Sequence, residues 1–276
     1  MLSSLTSGVS GLDSFQDQMD VIGNNIANLN TTGYKAATVD FADAFSNTLQ
    51  NPSGGTSTSD GSAAIQVGTG VDITGTGNNW GQGALTATGV ESNMGINGNG
   101  FFLVKDPSTG TTYATRAGDF SVDANGYLVT DTGQRVQGYN SSSLSSIGDI
   151  QITGTATANV SSYTINSQGV ITANLSDNST QVDGQVLLQN FAAPQNLLNQ
   201  GDNLYSNLEA AGAGTVTAPG SGGLGTIAAG QLESSNVDLS TEMANLITAQ
   251  RAFEASSKIV TTSNEVLQTV VNMKQS

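Results

Sequence analysis

Apolar residues recur at intervals of seven at both ends of the chain, and this is the feature that most restricts how it can fold. Near the start, Leu5, Leu12, Met19 and Ile26 are seven apart, with Gly8, Phe15, Ile22 and Leu29 between them at alternating steps of three and four. Near the end, Leu239, Leu246, Phe253, Val260 and Leu267 repeat the period, with Met243, Gln250, Ser257, Asn264 and Val271 as companions. A period of 3.5 predicts a long helix with one apolar seam, and two such helices far apart in sequence predict a pair that brings the chain ends together. The C-terminal seam is apolar on one side and partly polar on the other, a pattern that costs stability and selects a register or partner number. The pattern fits equally a helical hairpin closing over its own domain and a coiled coil that also meets neighbouring chains.

The middle has a different period. Phe120-Ser121-Val122 and Tyr127-Leu128-Val129 flank Asp123-Ala124-Asn125-Gly126, and Tyr163-Thr164-Ile165 and Val170-Ile171-Thr172 flank Asn166-Ser167-Gln168-Gly169. Each reads as strand, turn, strand. Gln185-Val186-Leu187-Leu188-Gln189 is a further strand. The expected class is mainly β with helical termini (α+β). Residues 1–32 form the N-terminal helix of a discontinuous coiled-coil domain, 33–75 an extended linker, 76–235 a β-rich outer domain and 236–276 the C-terminal helix. Within the linker, 51–63 is a Gly/Ser/Thr-rich stretch with nothing to pack a core. Gly33 is the expected helix stop, and Asp238 to Glu242 supply N-cap candidates for the second helix.

Composition narrows the chemistry. The 276 residues contain no Cys and no His. That excludes a disulfide framework, a thiol nucleophile, a Ser-His-Asp triad and a His- or Cys-ligated zinc. With only 7 basic residues and a net charge of −15, the chain is a poor partner for nucleic acid or an anionic membrane. No apolar run reaches membrane-spanning length and no cleavable signal peptide is evident, so export by a route without one is expected. Gly220 to Gly225 has dinucleotide-binding glycine spacing, but Pro219 precedes it and no βαβ crossover follows. Asp123, Asn125 and Gly126 superficially fit a calcium loop, but position twelve is Thr132 rather than Glu. No cofactor, metal or catalytic residue is expected, and the chain is read as a non-enzyme.

Several stretches together resemble the bacterial flagellar rod and hook proteins. They are Ser7-Gly8-Val9-Ser10-Gly11-Leu12, Met19 to Asn28 and Thr32-Gly33-Tyr34-Lys35, then Gly98 to Phe102, Tyr113 to Phe120 and Gly201 to Tyr205, and finally Leu232 to Asp238 and Ile247 to Glu254. The resemblance spans essentially the whole chain, in the family's order.

It implies an axial subunit of the flagellum, exported through the flagellar type III apparatus. Such a subunit polymerises helically beneath a cap, with its terminal helices lining the export channel and a β-rich domain outside. The implied partners are further copies of itself, adjacent rod, hook and junction proteins, the hook cap and the export apparatus. On this reading Leu5, Leu12, Phe15, Met19, Ile22, Ile26, Leu239, Met243, Leu246, Gln250, Phe253, Val260 and Leu267 form the subunit interface. Asn24, Asn25 and Asn28 supply inter-subunit or inter-helix hydrogen bonds. The ends are expected to be disordered in the free subunit and to order on assembly.

The opening segment and Tyr34 to Phe45 resemble the short type of hook protein, which makes hook the first expectation. Distal rod protein is the alternative, because the stretch between Lys35 and Gly98 is about as long as in that protein. A secreted carbohydrate-binding or carbohydrate-cleaving β-protein is the reading from another class, opposed by an aromatic content of 5% and a single Trp.

Overall fold

The computed structural model describes residues 2–52, 54, 61–140, 146–153 and 159–275. It is mainly β, with one helix at each end, as the two sequence periods require. The chain divides into two compact units: residues 1–27, 37–79 and 238–276 in one, 28–36 and 80–237 in the other.

The helical unit pairs α1 (Leu2–Ala27) with α2 (Leu239–Gln275). At 1.5 Å per residue they are about 39 and 56 Å long. They run antiparallel. Ser4 lies opposite Ser263, Gly11 packs on Ser256, and Asn25 bonds Glu242. Asp238 caps α2 as expected, its carboxylate accepting from the Ser240 and Thr241 amides at 2.8 and 3.2 Å. α1 ends at Ala27, earlier than the expected stop. Beyond it the short amides fold on themselves, with Asn28 Oδ1 accepting from the Thr31 hydroxyl.

Where the sequence suggested an extended linker, strands form instead. β1 (Ala37–Asp43) pairs antiparallel with β4 (Val71–Asn78), and β2 (Ser46–Gln50) with β3 (Ile65–Gly68). Alternation in Thr38-Val39-Asp40-Phe41 and in Val71-Asp72-Ile73 supports the first ladder. Phe41 meets Phe15 of α1 at 6.2 Å between ring centres. Of the low-complexity stretch 51–63, Ser53 and residues 55–60 lie outside the described residues.

The other unit, residues 28–36 and 80–237, keeps the name outer unit from the sequence expectation and is built on one antiparallel sheet. In spatial order its main path is Val160–Ile165, Val170–Leu175, Thr180–Val186, Arg135–Tyr139, Phe101–Lys105, Thr112–Thr115, Leu204–Ser206 and Leu198–Gly201. Both hairpins read from the sequence are present, with Leu128 opposite Val122 and Ile165 opposite Ile171. The first is closed by Asp123, whose carboxylate accepts from the amides of Asn125 and Tyr127, so this Asp-Asn-Gly run is a turn. Gly220 to Gly225 is likewise a turn, closed by Gly220 N–H to Gly225 O at 2.8 Å and followed by a strand rather than a helix.

The core of this unit is large and apolar. Phe102, Val104, Leu128, Val136, Ile150, Ile171, Val186 and Leu188 have no exposed surface. A second cluster gathers Phe101, Phe191, Tyr205 and Trp80, their rings meeting edge to face at 5.1–5.3 Å.

Candidate functional site

Two places combine features that ordinary packing does not explain. The first lies in the outer unit, where each connection to the helices leaves it. Lys35 and Glu233 form an ion pair at 2.7 Å, and Arg116 Nε lies 3.1 Å from the other Glu233 oxygen, an ion pair rather than an aligned hydrogen bond. All three side chains are buried, Glu233 completely. The surplus positive charge is met by main-chain carbonyls. Lys35 donates to Gly81 O at 2.8 Å, and the Arg116 guanidinium donates to Gly98 O and Gly100 O. Burial pulls both cations below their ordinary pKa, and the Glu233 carboxylate opposes the fall.

Around this triad the chain crossings are stitched together. Gly33 N–H donates to Glu233 O, and Asn236 Oδ1 accepts from the Ala36 amide, both at 2.8 Å. Asn236 also donates to Gly81 O, and Asn203 to Thr32 O. Gly33 has φ +68°, and a Cβ there would sit 2.6 Å from the Ala117 nitrogen. The residue therefore takes the left-handed conformation the sequence suggested, but beyond the helix, where it lets the backbone close onto Arg116-Ala117. Gly118 is just as constrained, since a Cβ would fall within bonding distance of Met94 O.

Five of the eight stretches that carried the family resemblance converge here, and the other three lie on the two helices. Thr32 to Lys35, Gly98 to Gly100, Arg116 to Asp119, Asn203 and Glu233 to Asn236 make one clasp. Sequence reading named none of these except Gly33 as a site. Lone Lys, Arg and Glu residues far apart give no periodic signal. The available clue was that Lys35, Arg116 and Glu233, in a chain with 11% charged residues, each fall inside one of its motifs.

The second place is the helical pair. The buried positions of α2 are Glu242, Ala249 and Ser256, again seven apart, and those of α1 include Gly8, Gly11, Ser14, Ile22 and Asn25. Small residues form the intramolecular seam. A Cβ on Gly8 would come within 2.9 Å of Val260 Cγ2, so the axes approach closely. Asn25 is the polar anchor. Its amide donates to Ala37 O and to Glu242 Oε1 and accepts from Ala37 N–H, at 2.8–3.2 Å.

The apolar heptads fall beside this seam. Leu5, Leu12, Phe15, Met19, Ile26, Leu246, Phe253, Val260 and Leu267 are only half-buried, and Asn24, Leu239, Met243 and Gln250 are exposed. Beyond the stretch that α1 covers, Val266, Val270, Val271 and Met273 are exposed as well. Exposed apolar surface on this scale is the kind that marks interaction sites in other proteins.

The relatives agree with this anatomy. Three family models match. "Flagella basal body rod protein" covers residues 5–35, "Flagellar hook protein FlgE/F/G D1 domain" 95–173, and "Flagellar basal body rod FlgEFG protein C-terminal" 228–273. The flagellar basal-body rod protein FlgG of Bacillus subtilis is 39% identical over 276 residues, all of both chains. This chain belongs to the flagellar rod and hook protein family.

Within the family, FlgG of Buchnera aphidicola (subsp. Baizongia pistaciae) is 36% identical over 97% of this chain and 98% of its own. The flagellar hook protein FlgE of Salmonella typhimurium is 26% identical, over an alignment of 420 residues that takes in 98% of this chain and all of the hook protein. The first expectation of a hook protein is therefore less well backed than its rod alternative. The hook expectation rested on the opening segment and Tyr34 to Phe45, whereas the stretch between Lys35 and Gly98 pointed to the rod.

Proposed function

We propose that this chain is a structural rod subunit of the flagellar basal body, of the distal rod type, which polymerises into a helical tube and transmits torque. Full-length alignment with rod proteins, without the extra length of a hook protein, carries this reading. The half-buried heptads support polymerisation. Leu5, Leu12, Phe15, Met19, Ile26, Leu246, Phe253, Val260 and Leu267 then pack between copies as well as within one, Leu239, Met243 and Gln250 meet neighbours directly, and Ile22, expected at the interface, is instead buried within the single chain. Asn25 is committed within the chain, and Asn24 is the exposed amide of the three that meets a neighbouring copy. The role is mechanical rather than enzymatic, and the subunit works in the flagellum with further copies of itself and adjoining axial proteins.

Immunogold labelling of isolated hook–basal bodies, through an epitope inserted at the exposed Ser108-Thr109 turn, tests the assignment. Label confined to the rod is the expected result. Label along the hook overturns the rod reading in favour of the hook.

A further inference from the structure

We propose that the Val9–Asp13–Gln16–Asp20 face of α1 docks on the Ile247–Arg251–Lys258 face of α2 from a second copy of this chain, with Asp20 against Arg251 and Asp13 against Lys258. The pairing rests on the polymerising-subunit reading and names the contact that holds adjacent copies.

Scarcity of positive charge carries the first step. Of seven basic residues, Lys35 and Arg116 are buried, Arg135 is paired with Asp149 at 2.9 Å, and Lys105 is half-buried on an outer-unit strand. Among the described side chains, Arg251 and Lys258 are thus the exposed cations of the helical unit. α1 has no basic residue at all. Its Asp13, Asp17 and Asp20 are exposed and form no ion pair among the described residues. Among the described residues of the helical unit, Arg251 and Lys258 of another copy are the exposed cations that can meet these carboxylates helix to helix.

Geometry carries the second step. Asp13 to Asp20 and Arg251 to Lys258 are both seven-residue steps, about 10.5 Å along one helix side. In antiparallel register, both pairs close together. At 100° per residue, both faces lie opposite the Gly8–Ser256 seam, so one chain cannot satisfy itself. Each copy presents one face of each kind, which makes the contact heterologous and open-ended, as a helical polymer requires.

Exposed Val9 and Ile247 stand one turn before Asp13 and Arg251, at the two ends of the contact, where this register sets them opposite Thr262 and Asn24. Asp17 and Glu254, the like charges between the pairs, fall on opposite flanks by helical phase. Glu254 is 2.9 Å from Arg251 in the single chain, but both are largely exposed, so this pair exchanges easily for an intermolecular one.

Charge reversal tests the proposal. Asp20→Arg and Arg251→Asp, each with unchanged helical circular dichroism, should lower sedimentable polymer roughly tenfold at ~50 mM salt, and the double variant should recover most of it. Because the chain has no cysteine, an equimolar mixture of Asp20→Cys and Arg251→Cys chains should form disulfide-linked dimers on mild oxidation, more than either variant alone. Single reversals that assemble like the parent, a double variant no better than the singles, or no excess dimer would overturn the pairing while leaving polymerisation intact. A parent chain that yields no polymer at any salt would overturn polymerisation and the pairing together.

Discussion

The two units bury different things. The outer unit hides a continuous apolar core in which Phe102, Leu128, Ile150 and Ile171 have no exposed surface. The helical unit joins its helices through glycine, alanine and serine, and keeps its leucines and valines half in water. Burial of roughly 25 cal/mol per Å2 of apolar surface stabilises the first as it stands and leaves part of the second unspent until another surface arrives. A chain can therefore carry one part that folds for itself and another whose stability belongs to the assembly.

The largest effect that would break this contrast is Leu246→Asp. A carboxylate in the half-buried heptad should reduce polymer yield by roughly thirtyfold or more, the scale of an interface hot spot. The outer unit's thermal transition should not move. A normal polymer, read by sedimentation and electron microscopy, would show that the heptads are not the interface.

Phe102→Ala asks the opposite question. Removing a fully buried ring that meets Phe120 edge to face at 5.1 Å should cost the outer unit about 3–5 kcal/mol. In calorimetry that is roughly 6–20 °C off the transition of a unit this size. Helical circular dichroism at low temperature should be unchanged.

The clasp comes next. Glu233→Gln leaves Lys35 and Arg116 buried beside each other with no anion between them, a loss of about 3 kcal/mol by analogy with other broken buried pairs. The matching control is Lys35→Met, which leaves Glu233 still paired with Arg116. If its cost equals that of Glu233→Gln, the carboxylate is not the shared hub.

Alkaline titration separates the clasp from the aromatic cluster beside it. Burial, helped by Tyr34, pushes the Tyr205 hydroxyl up to about 12 from 10.0. Between those values the unfolded chain releases a proton that the folded chain keeps, so stability falls as pH rises from 10 to 12, by about 2–3 kcal/mol in all. Lys35 acts the other way. Its depressed pKa means that the unfolded chain holds a proton the folded chain has lost, which favours folding as pH rises toward 10.5. The difference between the parent and Tyr205→Phe isolates the first effect. Identical alkaline profiles for the two would show that Tyr205 is not the group responsible.

What could be read from sequence followed period and turn chemistry. The helices, their meeting, the Asp123–Gly126 and Asn166–Gly169 turns and the Asp238 cap were legible because each rests on neighbours in sequence. The heptads were legible as helices, but not as to which stripe would face inward. Leucine periodicity draws attention to the apolar stripe, whereas the close approach of two helices is decided by Gly8, Gly11 and Ser256, which carry no hydrophobic signal. The strands at 37–43 and 71–78 were hidden by the low-complexity run between them, and the clasp by the sequence distance of almost two hundred residues between Lys35 and Glu233.

The smallest effect concerns β2 and β3, every residue of which is exposed. Phe45 is 91% and Leu49 70% accessible, an extreme case of the helical unit's open apolar surface. A two-stranded ribbon with no covered face adds almost nothing to the stability of a single chain. Leu49→Ser should therefore shift the free subunit's unfolding free energy by no more than about 0.5 kcal/mol in either direction. If exposure here has the same meaning as on α2, the variant should still slow assembly, visible as a longer lag in light scattering. A stability loss of about 1.5–3 kcal/mol, the range expected for a buried apolar side chain, would mean that Leu49 is covered within the single chain. The contrast between a self-sufficient outer unit and an assembly-dependent helical unit would then stop at the helices.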